Sequence, residues 1–333
     1  MLSRKKIEGC YWNLALGDAM GMPVEFNDIE MIKERYGEQG IQEPKSWVIW
    51  TDDTEMTFAV TQALIHLGDV RKIAETEEDR IGQAFAREVI KWFDNMGHAP
   101  GVTCKTEVYK LRKQGPEKWK EVGENDSKGC GSAMRAAPLG VWFADALNPE
   151  ISEGKGKYHD LLKQISQIQS EMTHGHKAAT AGALASSYAV ALAINEIPID
   201  DLIAPIENFC ANIHPDFEKC LARLKRALDL RDSGEFATEL EAIESIGKGW
   251  VGDEAFTMAL YAAIRAPNDL RKCLQIAVNH SGDSDSVGCI SGSIIGAYHG
   301  KEIIPEHWID RLAEKERMDT LLDKVINTFP LEK

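Results

Sequence analysis

Two acidic clusters, more than two hundred residues apart, constrain what this chain can fold into. The first is Thr51-Asp52-Asp53-Thr54, and the second is Gly282-Asp283-Ser284-Asp285-Ser286. Each sets two carboxylates beside hydroxyl side chains, an all-oxygen anionic donor set of the kind that hard divalent cations take. A fold that joins the clusters puts four carboxylates in one pocket. Left bare, those groups repel one another, and some of them must take up protons. Two divalent cations would cancel the formal charge, four negative against four positive. The pattern predicts a topology that returns the far part of the chain to its beginning, around a binuclear cation centre.

Between the clusters, helical periodicity dominates. Met56, Ala59, Val60, Ala63, Leu64 and Leu67 recur on one helix face, with Asp53 or Thr54 placed as the cap. The Ala-rich run from Lys177 to Asn195 reads as a buried helix. Glu254 to Arg265 and Asp269 to Asn279 read as two more, punctuated by Pro267, with Asp269 capping the second. After Asp285, Gly288, Gly292, Gly296 and Gly300 fall every fourth residue. At least the first three share a face that lets another helix approach closely. That segment is only about a dozen residues long, and no apolar run approaches the roughly 20 needed to cross a bilayer. The stripe therefore reads as a tightly packed central helix and not as a membrane dimer motif. Its N-terminus points at the acidic pocket, where the helix dipole disfavours a cation and the carboxylates must supply the attraction. Short apolar runs such as Trp47-Val48-Ile49-Trp50 are too isolated to build a sheet. The expectation is one all-α domain over residues 1–333.

The formal net charge of −15 argues against nonspecific nucleic-acid binding, which needs a positive footprint. It leaves room for an anionic small ligand, because cations and helix N-termini reverse the field locally. The seven cysteines are scattered and form no C-x-x-C pair, so neither a cysteine-built zinc site nor a disulfide framework is indicated. Trp12-Asn13 and Asp18 interrupt the N-terminal segment before any signal-type apolar run develops. A cytoplasmic protein with no membrane association is expected.

Three other segments bear chemistry. Gly17-Asp18-Ala19-Met20-Gly21-Met22-Pro23-Val24 leads to Glu25, which reads either as a surface carboxylate or as a catalytic acid or base. Ser127 to Arg135, with Gly129, Cys130, Gly131, Ser132, Ala133 and Met134 at its centre, is a small-residue loop entering an apolar stretch. Such loops present amide N–H groups to phosphate, although this one lacks Walker and dinucleotide-fold spacing. His174 and His176 precede the Ala-rich helix, placed to cap it, meet a ligand, bind metal or face solvent.

Taken in order, these segments resemble the ADP-ribosylglycohydrolase family. The resemblance runs from about Ile7 to Gly300 and includes Gly249-Trp250-Val251 with Glu254-Ala255. It implies a single-domain orthogonal helical bundle holding two Mg²⁺ or Mn²⁺ ions. Thr51, Asp52, Asp53, Asp283, Asp285 and Ser286 would be the ligands, and Glu25, Asp283 and Asp285 would be catalytic. Gly129, Cys130, Gly131, Ser132, Ala133, Met134 and His174 would hold the substrate, an ADP-ribose conjugate of a protein side chain or a small molecule. Two departures, Ser284 and Ser286, stand where the family usually has Thr and keep the hydroxyl. Ser281 stands where Gly is usual. Gly97-His98-Ala99-Pro100-Gly101-Val102-Thr103 lacks the Asp that many arginine-specific members carry, which argues against arginine as the acceptor. Some proteins resembling the family instead bind an ADP-ribosyltransferase as immunity proteins, an alternative that predicts binding without turnover. A phosphohydrolase using the same ions would release AMP.

Overall fold

The computed structural model describes residues 2–95, 97–98, 100–123, 125–148 and 150–329; Ala99 of the segment before Thr103 lies outside them. Among the described residues no β-strand forms. Two isolated bridges, Val48 with Leu312 and Gly129 with Val251, are the extent of extended pairing there. The helices that frame the site are α1 (Arg4–Gly21), α2 (Asp52–Leu67), α3 (Val102–Gln114) and α4 (Ala137–Leu147). They continue with α5 (Lys177–Ile194), α6 (Gly252–Arg265), α7 (Ser284–His299) and α8 (Lys315–Thr328). Their apolar faces merge into one connected core.

At the centre, α1 and α7 run antiparallel and are almost wholly buried. The glycine stripe explains how two backbones come so near. A Cβ at Gly17 would lie 2.0 Å from the Gly288 carbonyl oxygen, and one at Gly292 would lie 2.1 Å from the Asn13 carbonyl oxygen. Further along, a Cβ at Gly296 would lie 2.1 Å from the Gly9 carbonyl oxygen. Only hydrogen fits at these positions. The antiparallel crossing sets Gly21, at the end of α1, against Ser284 and Asp285, at the start of α7. Glu25 follows four residues later, and this packing brings it to the second acidic cluster.

The Ala-rich α5 is 18 residues long with a mean hydropathy of 1.3, long and apolar enough by composition to cross a membrane, yet 94% of it is buried inside the protein. This corrects the expectation that no stretch reaches such a length. Its small side chains let neighbours close in: a Cβ at Gly182 would sit 2.3 Å from the Gly252 carbonyl oxygen. A second correction concerns α2. Its N-cap is Thr51, whose Oγ1 accepts from the Asp53 amide at 3.3 Å, and not Asp53 or Thr54. The reason is Asp18 on α1, whose carboxylate draws Thr54 inward and leaves the Asp53 side chain to the pocket. Asp269 caps its helix as expected, accepting from the Lys272 amide at 3.0 Å.

Candidate functional site

Both acidic clusters open onto one cavity of about 380 Å³. Asp52 and Asp53 reach it from the first turn of α2, and Asp283, Asp285 and Ser286 from the start of α7. Glu25 enters from the short turn after α1, and carboxyl oxygens of Glu25, Asp283 and Asp285 lie within 4.8 Å of one another. Thr51 does not line the cavity; it is buried behind as the cap of α2. Asp283 has two tasks at once, because its Oδ1 also accepts from the Ser286 amide at 3.2 Å and caps α7.

Crowding acids in a dry pocket opposes their ionisation. In the metal-free protein, burial first and the charges of Asp285, Asp283 and Asp52 next push Glu25 up to about 9. Burial pushes Asp52 to about 7, opposed by the hydrogen bond it accepts from the Gly101 amide at 3.0 Å. Asp53 and Asp283 are raised well above the usual carboxylate range by burial and then by Asp285. Asp285 itself is raised by burial. One oxygen has no compensation at all: Asp53 is 3% exposed and its Oδ2 has no hydrogen-bond partner. A buried, unpartnered carboxylate oxygen among other acids fits a cation ligand, and the all-oxygen set from Asp52, Asp53, Asp283 and Asp285 fits a hard divalent ion.

Asp18 is the residue that sequence reasoning left without a role. It is fully buried, and its two oxygens accept from the Thr51 amide at 2.9 and 3.0 Å. Oδ2 also accepts from the Thr54 amide at 3.0 Å and from Thr54 Oγ1 at 2.5 Å. Asp18 thereby fixes the turn from which Asp52 and Asp53 project. Its place in a Gly-Asp-Ala-Met-Gly string was visible, but its partner lies thirty-three residues away and carries no local signal.

The small-residue loop forms another part of the wall. Gly129, Cys130, Gly131 and Met134 line the cavity, whereas Ser132 and Ala133 turn into the interior. Ser132 Oγ accepts from Ser170 at 2.8 Å. Gly131 is required by crowding: a Cβ there would lie 2.7 Å from Cys104 Sγ and 2.8 Å from the His174 ring. His174 lines the cavity, and burial, with the nearby Arg135 charge, pushes it down to about 3, so it is neutral. Arg135 is 1% exposed and donates to Gln169 Oε1 at 2.9 Å, to the Gln169 carbonyl at 2.6 Å and to Thr173 Oγ1 at 2.8 Å. Thr173 Oγ1 is also 2.8 Å from His174 Nδ1. The hydroxyl that accepts from Arg135 keeps its own proton to give, and when it donates to Nδ1 the ring hydrogen sits on Nε2 as a donor beside the loop. His176 takes a different part, capping α5 by accepting from the Ala178 amide at 3.1 Å.

Two aromatic rings also line the cavity: Trp250, from the Gly249-Trp250-Val251 string, and Phe26, which had no sequence signal. Phe26, 75% exposed, stacks on Trp250 with centroids 4.9 Å apart and planes at 24°. Phe26 holds a φ of 64°, the left-handed region that bulky residues avoid. The stack offsets that strain and fastens the segment bearing Glu25. Further wall comes from Pro100, Gly101, Val102, Thr103 and Cys104, none of which carries a charge.

A family model described as ADP-ribosylglycohydrolase matches residues 2–333. ADP-ribosylhydrolase ARH3 of Mus musculus is 24% identical over 369 residues, covering 98% of this chain and 92% of that protein. ADP-ribosylarginine hydrolase Tri1 of Serratia proteamaculans is 24% identical over 341 residues, covering 99% and 81% respectively. A solved ADP-ribosylglycohydrolase-related protein complex matches in fold with a TM-score of 0.66 at 23% identity, covering 98% of each chain. The motifs that gather on the cavity are those that carry the resemblance, and with a family model matched along nearly its whole length the chain belongs to the ADP-ribosylglycohydrolase family.

Proposed function

We propose that this protein is a hydrolase that uses two Mg²⁺ or Mn²⁺ ions to release ADP-ribose from a conjugate. The observation that carries the reading is the convergence of Glu25, Asp52, Asp53, Asp283 and Asp285 on one cavity, with Asp53 Oδ2 unpartnered. Asp52, Asp53, Asp283, Asp285 and Ser286 would hold the ions, with Thr51 behind them. When bound, such ions neutralise the carboxylates, grip ribose hydroxyls and orient water as Lewis acids.

Cleavage adds water across the bond from the anomeric carbon to the acceptor, and positive charge develops on that carbon in the transition state. The aspartates keep the pocket from opposing that charge. With the aspartate charge cancelled by bound cations, Glu25 would be free to ionise; on the segment fastened by Phe26 and Trp250 it takes a proton from the attacking water and returns it to the departing acceptor. His174, neutral and oriented through Thr173 by Arg135, donates from Nε2 to the substrate. The buried Arg135 guanidinium has no carboxylate partner among its hydrogen bonds, and its field favours an anionic diphosphate at the Gly129–Met134 loop. The uncharged wall from Pro100 to Cys104 offers no carboxylate to a guanidinium, which favours an uncharged acceptor.

The deciding experiment offers Arg-, Ser- and O-acetyl-linked ADP-ribose with Mg²⁺ or Mn²⁺ and identifies the product. Free ADP-ribose is expected, and Asp285→Ala should abolish its release. Near-normal turnover by Asp285→Ala, or AMP as the product, overturns the reading. An immunity role predicts binding that survives Asp283→Asn and Asp285→Asn without any turnover.

A further inference from the structure

Two cysteines, Cys104 and Cys130, line the cavity, and Cys130 stands apart from the other six in being partly exposed where they are buried. Its Sγ lies 2.9 Å from Asp283 Oδ2. Ser286 Oγ is 3.5 Å from the same sulfur and 3.8 Å from Met134 Sδ. One corner of the pocket thus joins a thiol, a carboxylate oxygen and a hydroxyl, with a thioether beside them. In a tetrahedral zinc site, bonds of ~2.3 Å to sulfur and ~2.0–2.2 Å to oxygen give a sulfur–oxygen separation of roughly 3.5 Å. The observed 2.9 and 3.5 Å reach that spacing with side-chain movements of well under the length of one bond. A separate observation marks the corner for a cation. Asp53 is 3% exposed, lines the same cavity, and its Oδ2 has no hydrogen-bond partner.

We propose that Cys130, Asp283 and Ser286 form a site for one thiophilic divalent cation of the zinc and cadmium class. This rests on the reading that Asp283 and Ser286 also serve a hard cation, so that the two kinds of ion compete for shared ligands. Mg²⁺ and Mn²⁺ gain little from sulfur, whereas zinc and cadmium gain a metal–thiolate bond. Binding exchanges the thiol proton for the metal: the S–H bond breaks, the sulfur electron pair goes to the cation, and the proton leaves to solvent. No electron transfer is needed. The consequence is a hydrolase supported by hard cations and blocked by traces of soft ones.

The test titrates metal-free protein with Cd²⁺ and follows the sulfur-to-cadmium charge-transfer absorbance, proton release, and displacement of Mn²⁺ by electron paramagnetic resonance. Wild type should show the band and proton release, with Mn²⁺ affinity falling about tenfold or more at saturating Cd²⁺. Cys130→Ser should lose the band and bind Cd²⁺ about tenfold or more weakly while still binding Mn²⁺. Cys130→Ala should behave alike, and matching melting curves establish that both variants fold. A band that survives in both variants, or no band in wild type that does bind Mn²⁺, overturns the proposal alone. Wild type that binds neither ion overturns the hydrolase reading with it.

Discussion

Single residues hold this site at two depths. Those at the cavity surface, Asp52, Asp53, Asp283 and Asp285, supply charge. One layer beneath them, Asp18 supplies position by accepting from Thr51 and Thr54 of the α2 turn. An amide side chain has one oxygen to offer and would turn its NH₂ against those donors. Asp18→Asn is therefore expected to weaken Mn²⁺ binding by about ten- to a hundredfold, as loss of a supporting hydrogen bond does at metal sites. Isothermal titration of Mn²⁺ into the variant checks this; affinity and melting temperature equal to wild type would show that Asp18 does not set the ligand turn. The acidic motifs at the surface were legible in the sequence because charge, hydroxyls and spacing are local. Asp18 was not, since a buried aspartate with distant partners has the same local pattern as a helix-end carboxylate.

Among the elements, the α1–α7 pair decides whether the acids meet at all. Its close approach depends on hydrogens at Gly17, Gly288, Gly292 and Gly296. Replacing Gly17 by Ala improves helix propensity by about 1 kcal/mol, yet the new methyl would overlap the Gly288 carbonyl oxygen at 2.0 Å. Backbone cannot yield as a side-chain tip does, so overpacking should win, and Gly17→Ala is expected to lose about 1–3 kcal/mol of stability. Urea unfolding measures the change. An equal or higher midpoint would mean that the helices can part without cost. The stripe on α7 was readable from its four-residue spacing, but its partner was not, because α1 carries Gly9, Gly17 and Gly21 among large apolar residues that mask the pattern. Local sequence places the cap of α2 a few residues late for a related reason: Thr51, Asp53 and Thr54 are all good caps locally, and Asp18 on another helix selects among them.

At the scale of the whole molecule, acid stability depends on groups buried neutral in the core. His280 is fully buried, and neither ring nitrogen has a hydrogen-bond partner in good geometry. Burial pushes it down to about 4 from an ordinary 6.5. The unfolded chain therefore binds a proton that the folded chain refuses, and stability falls as pH drops from about 6.5 to about 4. At about 1.4 kcal/mol for each pH unit of that window, this one group removes about 3 kcal/mol from end to end. His280→Leu should flatten that limb of a stability–pH curve measured by chemical denaturation. The same slope in the variant would assign the acid limb to other groups.

The sequence alone displayed the candidate pieces and the class of fold: oxygen-rich acidic clusters, a small-residue glycine loop, helical periodicity throughout and a stripe of glycines. These are set by covalent neighbours and by spacings of a few residues, so they survive without a structure. Only the tertiary structure decided which side chains share the cavity. It turned Ser132 and Ala133 inward, seated Thr51 behind the acids, stacked Phe26 on Trp250 and set the Cys130 sulfur against Asp283. Such contacts join residues far apart in the chain, and they are settled by how closely backbones pack, which local sequence does not encode.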